Sequence, residues 1–386
     1  MTSSTKSWGE RVKPQGSELE NNKTCRICGE KVEFLSRSLP ICLDCLRSDQ
    51  EIVSSVIEEV HRICRKPFGL VDKPPRDPSG ISCPLCVNRC QIPQGMSGYC
   101  GLRIHEDGGL QGASEGEGSV SWYHDGLPTN CVADWVCAGG MGTGYPKFSH
   151  VKGPEFGFKN LAVFYHGCSF DCLFCQNWTH REKISLRNRI VPDQLARAVD
   201  ESTSCICFFG GDPTPQLPHA LAVSKKALER KRDRILRICW ETNGSMNPAL
   251  LDEMMSLSLV SGGCIKFDIK AWNEKVHNAL CGVSNRQTKQ NFERAAEWVG
   301  KRGEPPLLIA STLLVPGYID EEEVRQISKW IASLDPTIPY ALLAFCPQFF
   351  FNDLPVTSRE FALRCKDIAE AEGLKKVRTG NLDLVQ

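Results

Sequence analysis

Six short apolar runs mark the second half of the chain: Leu161–Tyr165, Cys205–Phe209, Ile235–Trp240, Ile265–Ile269, Leu307–Leu314 and Tyr340–Phe345. Between and after them lie stretches near 192–202, 218–231, 248–257, 288–302, 320–334 and 358–373 whose apolar residues recur at helical spacing. Strands buried on both faces read as continuous apolar runs, not as alternation. Their regular exchange with amphipathic helices predicts an α/β fold, a parallel sheet closed or partly closed into a (β/α)6-type barrel over about 155–386. Chemistry in such an array sits at the carboxyl ends of the strands.

Upstream the pattern differs. Residues 50–64 place Ile52, Val53, Val56, Ile57, Val60 and Ile63 at helical intervals, which predicts a connecting helix. Lys73 to Gly80 carries Pro74, Pro75 and Pro78 and cannot continue it, so a boundary is expected there. Residues 105–160 are glycine-rich without sustained periodicity and predict loops and short strands wrapping the barrel. Three units are therefore expected: 1–70, 71–154 and 155–386.

Composition narrows the class. The 386 residues carry 46 basic and 46 acidic side chains, so net charge is zero and gives no general pull toward nucleic acid or an anionic membrane. No apolar run approaches the ~18 residues of a membrane span, and Met1 to Glu20 is polar, without the apolar centre of a secretory signal. A cytoplasmic protein is expected. It nevertheless has 21 cysteines, and in a reducing compartment clustered thiols bind metal or do redox chemistry more readily than they form disulfides.

Thirteen of those cysteines fall into four sets. Cys25, Cys28, Cys42 and Cys45 form two Cys-x2-Cys knuckles, the arrangement of a zinc ribbon with a closed tetrahedral sulfur shell. Cys83, Cys86, Cys90 and Cys100 form a second quartet, with Gly95 and Gly98 permitting tight turns, that suits zinc, a single iron or an iron–sulfur cluster. Cys131 and Cys137 read as two buried thiols packing as small hydrophobes. The fourth set, Cys168, Cys172 and Cys175, follows directly on the first apolar strand. Three cysteines at x3 and x2 spacing can hold three irons of a [4Fe–4S] cube and leave the fourth open, unless Cys205 or Cys207 on the next strand seals it.

The Cys-x3-Cys-x2-Cys loop after the first strand of a βα array resembles that of the radical S-adenosylmethionine (SAM) enzymes, and the resemblance extends from about Tyr165 to Leu382. It implies adenine contact for Phe174. Gly210-Gly211-Asp212-Pro213 resembles the family's Gly-Gly-Glu-Pro segment, whose backbone binds the methionine amino group, with Asp in place of Glu. Thr242-Asn243-Gly244 and Asp268-Ile269-Lys270 are similar to segments that contact cofactor carboxylate and ribose in glycyl-radical activases. Within the superfamily the chain looks like relatives of pyruvate formate-lyase activating enzyme, including the AmmeMemoRadiSam group. The segments 83–103, Phe174 to Trp178, Asp268 to Gly282 and Leu314 through Asn381 carry this likeness.

The resemblance implies reductive cleavage of SAM to a 5′-deoxyadenosyl radical. It also implies an electron donor such as flavodoxin or ferredoxin and, for an activase, a glycyl radical enzyme as protein substrate. A radical methylase or other modifying enzyme is the alternative within the class. An electron carrier or metal-stabilised interaction protein is the alternative outside it. Read from the residues alone, Gly210-Gly211 also suits a simple turn, and Asp268 with Lys270, on one face of a strand, also suits an ion pair. No role is assigned to His150, His166 or His180, and Phe349-Phe350-Phe351 reads as packing at the barrel end.

Overall fold

The computed structural model describes residues 23–184, 188–231 and 234–381. The polar segment Met1 to Glu20 and the end of the chain from Leu382 lie outside them. One sheet of eight strands dominates. In chain order these are β1 (Val120–Gly126), β2 (Lys159–Tyr165), β3 (Thr203–Gly210), β4 (Arg237–Thr242), β5 (Ile265–Asp268), β6 (Leu308–Leu314), β7 (Tyr340–Ala344) and β8 (Val377–Gly380). Spatial order follows chain order, with β1 antiparallel to β2 and every later pair parallel. β1 and β8 do not pair, so the sheet is open.

Each expected apolar run is a strand. β6 is buried along its whole length, as helices on one side and the interior on the other require. The helices that cover the sheet follow in order, with α1 (Glu51–Arg65) preceding them: α2 (Leu217–Arg230), α3 (Pro248–Ser261), α4 (Glu274–Cys281), α5 (Arg286–Ala296), α6 (Glu321–Leu334) and α7 (Arg359–Ala371). Their ends are written locally. Asp320 accepts from the Glu323 amide at 2.9 Å to start α6, and Asn273 caps α4, which Gly282 ends at φ +71°. The helical stretch expected near 192–202 is only Pro192–Ala196, and α4 was not anticipated.

The glycine-rich stretch yields more structure than loops and short strands, since β1 runs for seven residues along the edge of β2. α1 forms as expected, but its buried face differs from the apolar list. Val53, Val56, Val60 and Cys64 are buried together with His61 and Arg65, whereas Ile52 and Ile63 are exposed.

Candidate active site

The carboxyl ends of the parallel strands converge on one pocket. Its wall includes Cys168, Cys172 and Cys175 after β2, Gly210, Gly211 and Asp212 at the end of β3, Thr242 and Asn243 at the end of β4, and Asp268 and Lys270 at the end of β5, with Phe174 as an aromatic panel. Of the candidate residues for this site, only Pro213 stays out of the wall. It begins the turn Thr214–Gln216 instead. Cys205 and Cys207 also stay out and line an adjoining cavity.

The cysteine loop is held from several directions. The Asp171 amide donates to Cys281 O at 2.8 Å, the Leu173 amide donates to Leu280 O at 3.0 Å, and Leu173 O accepts from the Phe350 amide at 3.0 Å. Asp171 is fully buried among His61 (Nδ1 to Oδ2 2.8 Å), Arg65 (3.4 Å) and Arg181 (3.1 Å). Burial alone would raise its pKa, but the hydrogen bond from His61 and the two guanidinium charges hold it well below the usual carboxylate range. The helix α1 thus reaches across and fixes the cysteine loop through His61 and Arg65.

The thiols differ. Burial pushes Cys168 and Cys175 up, whereas the hydrogen bond shared by the Cys172 and Cys281 sulfurs at 3.5 Å pulls Cys172 down, with Lys270 assisting. Asn243 Nδ2 lies 3.7 Å from Cys168 Sγ and donates to Ser169 Oγ at 2.8 Å.

The second and third segments are braced against each other. Asp212, buried, accepts from the Thr214 amide (2.7 Å), the Asn243 amide (2.6 Å) and the Thr242 hydroxyl (3.2 Å). Gly210 sits at φ +116°, and its carbonyl accepts from Asn177 Nδ2 at 3.2 Å. A Cβ on Gly211 would lie 2.2 Å from Gly167 O, so only glycine lets the two loops approach this closely. Asp268 and Lys270 do form an ion pair. Burial would lower Lys270, yet the charges of Asp268 and Cys172 carry it above the usual lysine range. Lys270 Nζ also stands 5.6 Å from the centre of the Phe174 ring.

Three polar atoms in this wall have no partner. Among the described residues four buried side-chain polar atoms lack a hydrogen bond, and Asp268 Oδ1, Arg181 Nη1 and His180 Nδ1 belong to residues lining this one pocket. Buried polar groups in folded proteins are ordinarily paired, so a concentration of orphans in a concave site marks where a polar ligand binds. Three thiols, two cations, free donors and acceptors, and a flat aromatic face together fit an iron–sulfur cube and a charged nucleoside. Arg181 and His180 escaped the sequence reading. His166 is buried on Ser119 (2.9 Å), and His150 stacks on Phe158. The run Phe349–Phe351 covers the cluster loop, with Phe349 stacked on Trp178 at 5.6 Å.

Beneath the pocket, Cys131, Cys137, Cys205, Cys207, Cys239 and Cys264 face a second cavity. Lys266, 2% exposed, contacts Cys131 (3.1 Å), Cys207 (3.2 Å) and Glu241 (2.9 Å) there. Cys131 and Cys137 do pack as small hydrophobes, against the cluster of Ala133, Val136, Cys264 and Ile309, and Cys131 meets Lys266 as well. Asp134, from the same stretch, pairs with Arg378 on β8. Farther out, the sulfur atoms of Cys25, Cys28, Cys42 and Cys45 lie within 4.8 Å of one another, a set able to hold one metal ion.

Comparison with known proteins agrees with this geometry. Residues 162–331 match the Radical SAM superfamily. The chain is 23% identical over 315 residues to an uncharacterized protein of Methanocaldococcus jannaschii, covering 79% of this chain and 83% of the relative. It is 24% identical over 182 residues to pyruvate formate-lyase 1-activating enzyme of Escherichia coli K12, covering 45% of this chain and 67% of that one. A solved domain of pyruvate-formate lyase-activating enzyme from Bacteroides vulgatus aligns with 45% of this chain and 98% of its own at 24% identity and a TM-score of 0.37.

The matched region is that of the radical SAM enzymes, and the relatives named above support the same reading. Within that superfamily the chain is similar to activating enzymes, among them a putative glycyl-radical enzyme activating enzyme of Methanocaldococcus jannaschii and pyruvate formate-lyase 1-activating enzyme. No helix among the described residues is long and apolar enough to cross a membrane.

Proposed function

We propose that this enzyme holds a [4Fe–4S] cluster on Cys168, Cys172 and Cys175, binds S-adenosylmethionine beside it, and acts as an activating enzyme toward a glycyl radical protein. When bound, these cofactors supply one-electron chemistry, in which the sulfonium carbon–sulfur bond breaks to methionine and a 5′-deoxyadenosyl radical. The observation that carries the reading is the meeting of three thiols and three unpartnered polar atoms in one pocket at the strand ends.

The chain's own residues divide the remaining work. Cys168, Cys172 and Cys175 provide thiolates, while Arg181 and Lys270 remain protonated in the same buried wall and offset their negative charge. Gly210 and Gly211 present backbone to the ligand at close range, held there by Asn177 and by the Asp212 brace. Phe174 offers a flat apolar face, and Asp268 Oδ1 a free acceptor. Trp178, Phe349 and Phe351 shield the loop from water. A one-electron donor such as flavodoxin or ferredoxin and a cytoplasmic setting complete the proposal. The amino-terminal quartet holds zinc.

The test is anaerobic reconstitution with iron and sulfide, then reduction with S-adenosylmethionine and assay for 5′-deoxyadenosine. Wild type forms the product and Cys172→Ala does not, because two thiolates hold the cube poorly. Equal product from both proteins would overturn the cluster assignment. Radical formation on a glycine of a candidate partner, read by electron paramagnetic resonance, separates activation from other uses of the same cleavage.

A further inference from the structure

Outside this pocket, Cys83, Cys86, Cys90 and Cys100 line one small cavity, and all four are free of disulfides. Spacing distinguishes what such a set can hold. An ion bound to thiolates at about 2.3 Å in a tetrahedron keeps its sulfurs about 3.8 Å apart. The quartet at Cys25, Cys28, Cys42 and Cys45 is drawn that tight, and among the described residues it is the only set of three or more ligating side chains that is. In the second quartet no three sulfurs lie within 4.8 Å of one another, and the same is true of Cys168, Cys172 and Cys175. A cube carries its thiolates at separate irons and needs that width.

The surroundings suit a cluster. The Tyr99 amide points at Cys90 Sγ at 3.4 Å, and the Asn88 and Leu102 amides point at Cys86 and Cys100. Hydrogen bonds to sulfur of this kind tune iron–sulfur sites. Ile92 and Arg103, both buried, close the cavity, with the guanidinium fixed by donation to Pro215 O at 2.8 Å. The segment is also joined to the active site. Asn88 Nδ2 donates to Ser169 O at 2.7 Å, beside Cys168, and the Val87 amide donates to Ser245 O at 2.9 Å.

We propose that Cys83, Cys86, Cys90 and Cys100 ligate a second [4Fe–4S] cluster at all four irons, seated directly behind the loop that carries the first triplet. Ligation releases the four thiol protons to solvent. The proposal stands on the quartet's own geometry and not on the activity proposed above.

The experiment counts iron and acid-labile sulfide in the reconstituted full-length protein and in Cys168→Ala/Cys172→Ala/Cys175→Ala. Wild type should hold two cubes and the triple variant one, a twofold drop, with a reduced-cluster signal remaining in its paramagnetic resonance spectrum. Cys86→Ser/Cys90→Ser in the otherwise native chain should lose the other half. A wild-type chain with one cube, or a triple variant with no labile sulfide and a second equivalent of zinc, would overturn the proposal. The wild-type count needs no variant to fold, and neither readout depends on cleavage of S-adenosylmethionine.

Discussion

The backbone amide of Asn243 donates to the Asp212 carboxylate at 2.6 Å, so the loop after β4 hangs from the loop after β3. The same carboxylate takes the Thr214 amide and the Thr242 hydroxyl. The Asp212 carboxylate is thus used as a brace, beside the pocket wall that Gly210 and Gly211 form.

Asp212→Ala should strand two buried amides. At about 1–3 kcal/mol for each unsatisfied group, we expect affinity for S-adenosylmethionine to fall by roughly tenfold or more. Equilibrium dialysis on the reconstituted protein measures it. Binding within twofold of wild type would show that the brace does not hold the site.

Asp171→Asn removes the anion shared by His61, Arg65 and Arg181. Breaking a buried ion cluster from one side costs about 3–5 kcal/mol because the remaining charges stay desolvated. Denaturant unfolding should show a midpoint displaced by that amount. The iron content should fall as well, since the loop loses its anchor to α1.

The buried histidines set a pH dependence. Burial lowers His277 to about 4, although its Nδ1 is paired to Val283 O at 2.7 Å. The unfolded residue titrates near 6.5. Between those values the unfolded chain binds the extra proton, so stability contributed by neutral His277 is complete above about 6.5 and is lost as pH falls toward 4. His277→Gln should lessen the acid dependence of unfolding by up to about 1.4 kcal/mol per pH unit in that window. Parallel stability curves for the two proteins would refute it.

Chelation of the metal at Cys25, Cys28, Cys42 and Cys45 should loosen more than the knuckles. Tyr318 donates its hydroxyl proton to Leu39 O at 2.6 Å, and Asp353 accepts from Lys23 at 2.6 Å, so the module is sewn to segments after β6 and β7. We expect one zinc per chain and, in Cys28→Ser/Cys45→Ser, loss of that zinc with faster proteolysis between residues 23 and 50. A variant as resistant as wild type would show that the metal is not what orders the module.

The repeated βα units were legible because doubly buried strands leave unbroken apolar runs, and β2 through β7 do so. β1 was not, since Tyr123, His124 and Asp125 interrupt its apolar residues on an exposed edge, and β8 is four residues long with a charged Arg378. The cysteine triplet was legible from spacing alone. The clamp on Asp171 was not, because its partners His61 and Arg181 stand 110 and 10 residues away and no local pattern links them. Lys266 lay hidden within an apolar run. The available signal was period two, as Cys205 and Cys207 on β3, Cys239 on β4, and Cys264 with Lys266 at β5 alternate onto one interior face.

Because β1 and β8 never join, the sheet keeps two unpaired edges, and the Asp134 and Arg378 side chains meet at the β8 end. Strands within the sheet are locked by shared backbone hydrogen bonds. No such ladder spans these two edges, so the Asp134–Arg378 pair can part without breaking one.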